Sequence, residues 1–189
     1  KEVDVMILSH AHIDHSGLIP RLIAEGFEGS IFCTSATKDL TTILLRDSAE
    51  IQEDDIKYIN KRRGAEGMTY LRPLYTSEDA EKATEHFVEQ PYDKWFDVLE
   101  GVQALYTDAG HIIGSAQIRV AYKDEVWVAA GDYKLHDDGF CPVFEHLKCN
   151  VFITESTFGL PIYKWQPQQQ VMQEIDTWIN KNNQQQITS

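Results

Sequence analysis

Three histidines and one aspartate lie within six consecutive positions near the start of the sequence, in the pattern H-x-H-x-D-H at His10, His12, Asp14 and His15. Imidazole nitrogens are common ligands of Zn²⁺, and a carboxylate suits a site that also polarises water or an oxygen-rich substrate. Residues two apart in an extended segment point the same way, so His10 and His12 are expected to converge on one point. A turn at Asp14 and His15 directs two further ligands to a neighbouring point. The pattern therefore predicts a site for two metal ions, the alternative being an ordinary loop or a chance histidine-rich patch.

The sequence on either side of this pattern predicts the elements that position it. Residues 3–8 are short, apolar and β-branched, which is typical of a buried strand. Ser16 and Gly17 are followed by apolar residues at helical spacing, which indicates the start of a helix. The H-x-H-x-D-H pattern is thus expected in a loop between a strand and a helix.

Two later residues have suitable chemistry in an ambiguous local context. His111 lies between two glycines after a predicted strand at 102–107, where a lone histidine is most simply a turn residue. Asp132 follows Gly131 at the end of a predicted hairpin over residues 115–130. Its carboxylate is placed to bridge two metal ions or, alternatively, to hydrogen-bond its own turn. The local sequence does not decide between a metal ligand and a turn residue at either His111 or Asp132.

Hydrophobic periodicity predicts a mixed α/β fold for the remainder of the chain. Further strands are expected at 31–34, 95–98 and 151–154. Helices are expected from Ser35 to about Lys61, either as one bent helix or as two, from Thr76 to about His86, and over 166–183. The last helix has one apolar face that is expected in the core, formed by Val171, Met172, Ile175, Trp178 and Ile179.

Composition bounds the class of protein. A chain of 189 residues with 42% apolar content is about one domain long and can bury a single core. The formal net charge of −13 argues against a broad basic surface for nucleic acid, although two bound dications can govern a cleft while the remaining surface stays acidic. The cysteines, Cys33, Cys141 and Cys149, are odd in number and widely spaced, which favours unpaired thiols in a reducing cytoplasm. Neither a membrane span nor a secretory leader is expected.

The H-x-H-x-D-H segment resembles the signature loop of the metallo-β-lactamase superfamily. That resemblance implies an αββα sandwich with the metal centre at the edge of two packed sheets. His111 then matches the superfamily's third motif, and Asp132 matches its bridging aspartate. Glu155 opens the segment E-S-T-F-G, which resembles the first motif of the β-CASP branch, whose members process nucleic acids.

The resemblance implies a two-zinc site, with Mn²⁺ as the alternative metal. The first ion is expected on His10, His12 and His111, and the second on Asp14, His15 and Asp132. Two such ions share a water, lower its pKa and supply hydroxide for in-line attack on a phosphodiester. Two catalytic residues are expected, Asp14 to orient or deprotonate the water and Glu155 to fix a neighbouring group.

The resemblance is not uniform along the chain. Residues 10–95 resemble β-CASP ribonucleases of the messenger 3′-end processing type, whereas residues 131–134 and 154–165 resemble ligase-associated DNA exonucleases. The ribonuclease pattern places a histidine shortly after E-S-T-Y-G, and this sequence has none over 160–163. The expected partner is a nucleic acid substrate, with RNA favoured over DNA, in a cytoplasmic protein that does not bind membranes and forms a homodimer.

Residues 1–189 are expected to be part of a metallo-β-lactamase-like catalytic domain that is incomplete at both ends, with a β-CASP domain beyond residue 189. Two other functions are compatible with the same metal centre. One is hydrolysis of a small thioester, lactone or lactam, which the long region between the second and third motifs disfavours. The other is an inactive metal-binding subunit of a processing complex, which the intact ligand set disfavours.

Overall fold

The computed structural model describes residues 3–137 and 139–186. The chain divides into two compact units, Lys1–Glu155 and Ser156–Ser189. All the residues of the predicted metal site belong to the first unit. No helix among the described residues combines the length and the apolar character that a membrane crossing requires.

The first unit begins with a small parallel sheet whose connections are helical. Its strand order is β1, Met6–Ile7; β2, Ile31–Cys33; β3, Phe87–Glu89. The connections contain α1, Ile13–Ser16; α2, Ile19–Ala24; α3, Ser35–Ala65; α4, Ser77–Thr84. Parallel neighbours require such crossover connections, because a tight hairpin can join only antiparallel strands.

A five-stranded sheet follows. Its strands lie in sequence order: β4, Phe96–Leu99; β5, Val102–Asp108; β6, Ala116–Tyr122; β7, Glu125–Ala129; β8, Val151–Ile153. Pairing is antiparallel from β4 to β7 and parallel between β7 and β8. The predicted hairpin over 115–130 and the predicted strands at 95–98, 102–107 and 151–154 are therefore confirmed within one or two residues.

Strand β2 separates two hydrophobic cores. Ile31 and Cys33 face the helices, where they are fully buried with Leu45 of α3. Phe32 points the opposite way and packs against Phe96 of the second sheet, with ring centroids 5.3 Å apart. Because side chains alternate along a strand, this one short segment joins the helical layer to the sheet-on-sheet layer. The mixed α/β class with two packed sheets is confirmed.

Capping explains where the two longest connecting helices begin. The N-cap of α3 is Thr34, one residue before the predicted Ser35, and its side chain accepts the N–H of Thr37. The helix then runs unbroken, so the alternative of two helices is wrong. Helix α4 has a complete capping box between Thr76 and Asp79, as the hydroxyl and acid pattern predicts.

The second unit contains α5, Gln168–Gln186. Its predicted core face is exposed, from 38% at Val171 to 68% at Trp178. The prediction that these side chains form core is therefore wrong for the described chain. An amphipathic pattern identifies the apolar face of a helix but not what covers it.

Two threonines one turn apart on α3 provide a matched test of how this helix supports the fold. Thr37 and Thr41 are both fully buried, but Thr37 donates to the carbonyl of Gly114 at 2.8 Å, whereas the Thr41 hydroxyl has no partner among the described residues. We expect Thr37→Val to lower the free energy of unfolding by about 1 kcal/mol, because a buried hydrogen bond is lost. Thr41→Val should leave it unchanged or raise it, because an unsatisfied hydroxyl is removed. Urea unfolding measures both, and equal destabilisation by the two variants would contradict this account.

Candidate metal centre

The H-x-H-x-D-H segment leaves the first sheet at the end of β1. The last sheet hydrogen bond joins the Leu8 N–H to the Phe32 carbonyl at 2.9 Å. His10 follows outside the strand and is completely buried, and His12 is the N-cap of α1. Asp14 lies in the first turn of this short helix. The predicted loop therefore consists of a segment without regular structure that carries two histidines and a helical turn that carries the other two residues.

His111 lies in the loop between β5 and β6. Gly110 precedes it with φ of +70°, and a Cβ at Gly110 would lie 2.5 Å from the Pro142 carbonyl oxygen, so only glycine fits this backbone. The hydroxyl of Ser115 accepts the N–H groups of His111 and Ile112, each at 3.2 Å. The loop is thus held at both ends around the histidine.

Asp132 follows β7 and is brought to the site by a second glycine. Gly131 has φ of +61°, and a Cβ there would lie 3.0 Å from the Cβ of Ser9. The chain can therefore pass directly beside the residue that precedes His10. The three segments that carry His10, His111 and Asp132 meet at one end of the two sheets.

The first ligand group consists of His10, His12, His111 and Asp132, whose donor atoms all lie within 4.8 Å of one another. Nδ1 of His12 is 3.1 Å from Nε2 of His10 and 3.1 Å from Nε2 of His111. Oδ2 of Asp132 is 3.8 Å from Nε2 of His10 and 3.6 Å from Nε2 of His111.

The second ligand group consists of Asp14, His15 and Asp132. Nε2 of His15 is 3.5 Å from Oδ2 of Asp14 and 3.3 Å from Oδ1 of Asp132. The two oxygens of Asp132 therefore face different groups, Oδ2 the first and Oδ1 the second. This is the arrangement in which one carboxylate can serve two ions.

Burial and mutual proximity favour the neutral form of the central imidazole. Burial, followed by the nearby rings of His15, His111 and His12, lowers the pKa of His10 to about 3. Burial is also the main cause that lowers the pKa of His111. Neutral ring nitrogens that converge at 3.1 Å repel each other through their lone pairs unless a proton or a cation lies between them. The donor set thus fits a divalent metal, and its mixture of imidazole and carboxylate suits a borderline ion such as Zn²⁺.

Glu155 lies outside both ligand groups. It follows β8, and its Oε1 accepts the N–H of Tyr133 at 3.3 Å, directly after Asp132. Thr154 donates to the hydroxyl of Tyr133 at 3.2 Å. These contacts hold the segment that carries Asp132, which is a positioning role, and a catalytic role for Glu155 remains a prediction.

Three serines support the site and were not identified from the sequence. The Ser9 hydroxyl is buried 3.1 Å from Nδ1 of His10, and Ser115 holds the His111 loop as described. Ser16 donates to the carbonyls of Ala11 and His12 at 2.9 and 3.0 Å. Ser16 has a sequence signal, since a buried polar residue one turn after an N-cap often bonds back to the preceding backbone. Ser9 and Ser115 have none, because their contacts depend on the conformation of the loops that carry them.

Comparison with known proteins finds relatives that match most of this chain. No family model matches the chain. It is 29% identical over 163 residues to transcription termination factor FttA of Methanococcus maripaludis, covering 84% of this chain and 24% of the relative. It is 31% identical over 132 residues to a ribonuclease of Thermus thermophilus, covering 70% of this chain and 26% of the relative. The chain thus spans about a quarter of the length of these relatives.

A solved metallo-β-lactamase from Cronobacter sakazakii aligns with 81% of this chain and 57% of its own, with a TM-score of 0.48 and 16% identity. The six predicted ligand residues form two groups in the structure, with Asp132 common to both. The chain is related over most of its length to the termination factor and the ribonuclease, and its motifs resemble those of the metallo-β-lactamase superfamily and its β-CASP branch.

Proposed function

We propose that this chain forms the metal-binding part of a two-metal nuclease that hydrolyses phosphodiester bonds in nucleic acid. His10, His12 and His111 would hold one ion, Asp14 and His15 the other, and Asp132 both. The observation that carries the proposal is the position of Asp132, whose two oxygens lie within 3.8 Å of His10 and 3.3 Å of His15 respectively. Zn²⁺ is the proposed metal, and Mn²⁺ is the alternative for the same ligands.

Divalent ions in such a site polarise water for attack at phosphorus and neutralise charge on the phosphate oxygens. The protein's own residues supply positioning and proton transfer. The Asp14 side chain is 72% exposed, so it can reach both the second ligand group and solvent and can accept a proton from an attacking water. Glu155, through the Tyr133 N–H, fixes the backbone beside Asp132.

RNA is the proposed substrate, with DNA as the alternative. The relatives' names refer to transcription termination and to a ribonuclease, and both activities concern RNA. DNA is the alternative substrate because residues 131–134 and 154–165 resemble ligase-associated exonucleases. A cytoplasmic location, a homodimer and a β-CASP domain beyond residue 189 remain expectations.

The proposal is tested by incubating the full-length protein with end-labelled RNA and DNA, with and without added Zn²⁺ or Mn²⁺. We expect metal-dependent cleavage that His12→Ala reduces by more than about 100-fold, beyond the 10–100-fold that loss of an outer-shell partner costs. His86→Ala is the matched control, because the His86 ring contacts the Gly29 carbonyl at 2.9 Å, outside both groups. Hydrolysis of a thioester or lactone, with both nucleic acids left intact, would overturn the nuclease proposal.

Metal binding distinguishes the shared residue from the unshared ones. We expect Asp132→Asn to weaken binding of both ions, because each group loses a carboxylate charge. His111→Ala should weaken only the first site, and Asp14→Asn only the second. Calorimetric titration with Zn²⁺, together with metal analysis of the purified variants, measures the number and affinity of the sites. Two ions bound to Asp132→Asn with wild-type affinity would rule out a shared ligand.

Ser9 offers a test of how precisely His10 must be held. Ser9→Ala removes the hydroxyl 3.1 Å from Nδ1 of His10, so we expect Zn²⁺ affinity to fall about 10–100-fold, the usual effect of losing an outer-shell partner. Thermal unfolding with and without chelator separates this from a folding defect. The variant and the wild type should differ more in Zn²⁺ than in chelator, and an equal difference in both conditions would assign Ser9 a purely structural role.

A further inference from the structure

An apolar groove of about 520 Å³ lies directly beside the candidate metal centre. His12 and His111 form the end nearest the ligand groups. One wall is helix α3 with Leu40 and Ile43, and the other is the His111 loop with Ile113. Phe140 lies at the rim.

The groove is lined by large apolar side chains that the fold leaves in solvent. Phe140 is 87% exposed, Ile113 67% and Ile43 63%. These residues contribute little to the core, so core packing does not explain why these positions carry apolar side chains. A contiguous exposed apolar surface beside a site is typical of ligand or partner binding.

The groove continues away from the metal centre. A second cleft of about 640 Å³ shares Ile113, Phe140 and Cys141 with the first and extends to Pro91 and Tyr92. The two clefts together form a path that starts at His12 and His111 and passes Phe140. If a phosphate of a nucleic acid strand lay at the metal centre, the neighbouring nucleotide could enter this path.

The chemistry of the groove selects which part of a nucleotide it can hold. Apart from His12 and His111, the described residues that line it are apolar, and none is Asp, Glu, Lys or Arg. Such a lining does not suit a phosphate, which requires charged or hydrogen-bonding partners. It suits a flat, neutral ring, and bases stack on aromatic side chains in single-strand-binding sites.

We propose that this groove holds the base of the nucleotide next to the cleaved phosphodiester, with Phe140 as its stacking surface. This inference rests on the proposed function and adds a base-binding site to it. Because the lining has few hydrogen-bonding groups, the groove holds any base with little preference for its identity.

The test measures affinity rather than turnover. Labelled single-stranded RNA and DNA are titrated with full-length protein in chelator, and dissociation constants are read from fluorescence anisotropy. We expect Phe140→Ala to weaken binding on the order of tenfold, within the range for loss of one stacked base. Phe140→Trp should restore binding, because it keeps an aromatic face. Phe152→Ala is the matched control, since Phe152 is an exposed phenylalanine on β8 that does not line either cleft.

An oligonucleotide with abasic positions shows whether the base is the bound group. Wild type and Phe140→Ala should bind the abasic strand equally, because the backbone alone gives Phe140 nothing to stack on. An equal loss on normal and abasic strands would overturn the proposal, as would unchanged affinity of Phe140→Ala for normal strands. Loss of self-association or of a protein partner without loss of oligonucleotide binding would make the groove a protein-docking surface instead.

The cleavage assay separates failure of this inference from failure of the proposed function. If wild type cleaves nucleic acid and Phe140→Ala binds and cleaves it equally well, only the base-binding site is wrong. If wild type neither binds nor cleaves RNA or DNA in any metal, the nuclease proposal fails, and the base-binding site fails with it.

Discussion

One hydrogen bond joins the two sheets at the site. The Ala116 N–H, at the start of β6, donates to the carbonyl of Ser9 at 2.8 Å. Ser9 lies just after β1 of the first sheet, so this bond ties the segment carrying the first histidines to the sheet carrying His111 and Asp132. The Ser9 hydroxyl lies 3.1 Å from Nδ1 of His10. The Ser9 Cβ lies 3.0 Å from the position that a Cβ at residue 131 would take. The geometry of the candidate metal centre therefore depends on a residue that is not a ligand.

Gathering four imidazoles into one pocket is unfavourable on its own. Burial removes water from His10, and the ring nitrogens of His10, His12 and His111 come as close as 3.1 Å. Closely packed cores on both sides of β2 offset that cost, because Phe32 fixes one sheet against the other while Ile31 anchors the helices. A rigid scaffold can hold like groups together without letting them relax apart, as a preorganised metal site requires. The stability of the two cores thus keeps the histidines in a geometry that favours binding of a cation.

The sequence was informative where chemistry is local and uninformative where it is long-range. The expectation that His10 and His12 converge rests on residues two apart in an extended segment, and the Thr76 capping box is predicted by a pattern only four residues long. Strand β3 was not predicted, because Phe87–Glu89 is only three residues long and directly follows a region that resembles helix. Its pairing with β2 is a tertiary contact that local propensity cannot anticipate. The same holds for Ser9, whose importance arises only when β6 and residue 131 pack beside it.

The acidic composition opposes binding of nucleic acid, the proposed substrate, and the chemistry of the site offers a way around this conflict. With a formal net charge of −13, long-range attraction cannot bring a polyanion to this chain, so binding must arise from short-range contacts. The ligand groups would provide one kind, because cations held there would present positive charge to a phosphate. The neutral groove provides another, since stacking of a base does not depend on the sign of the surrounding surface. Under the proposed function, a polar centre for the phosphate next to an apolar groove for the base would therefore let an acidic protein act on nucleic acid, because both contacts are local to the site.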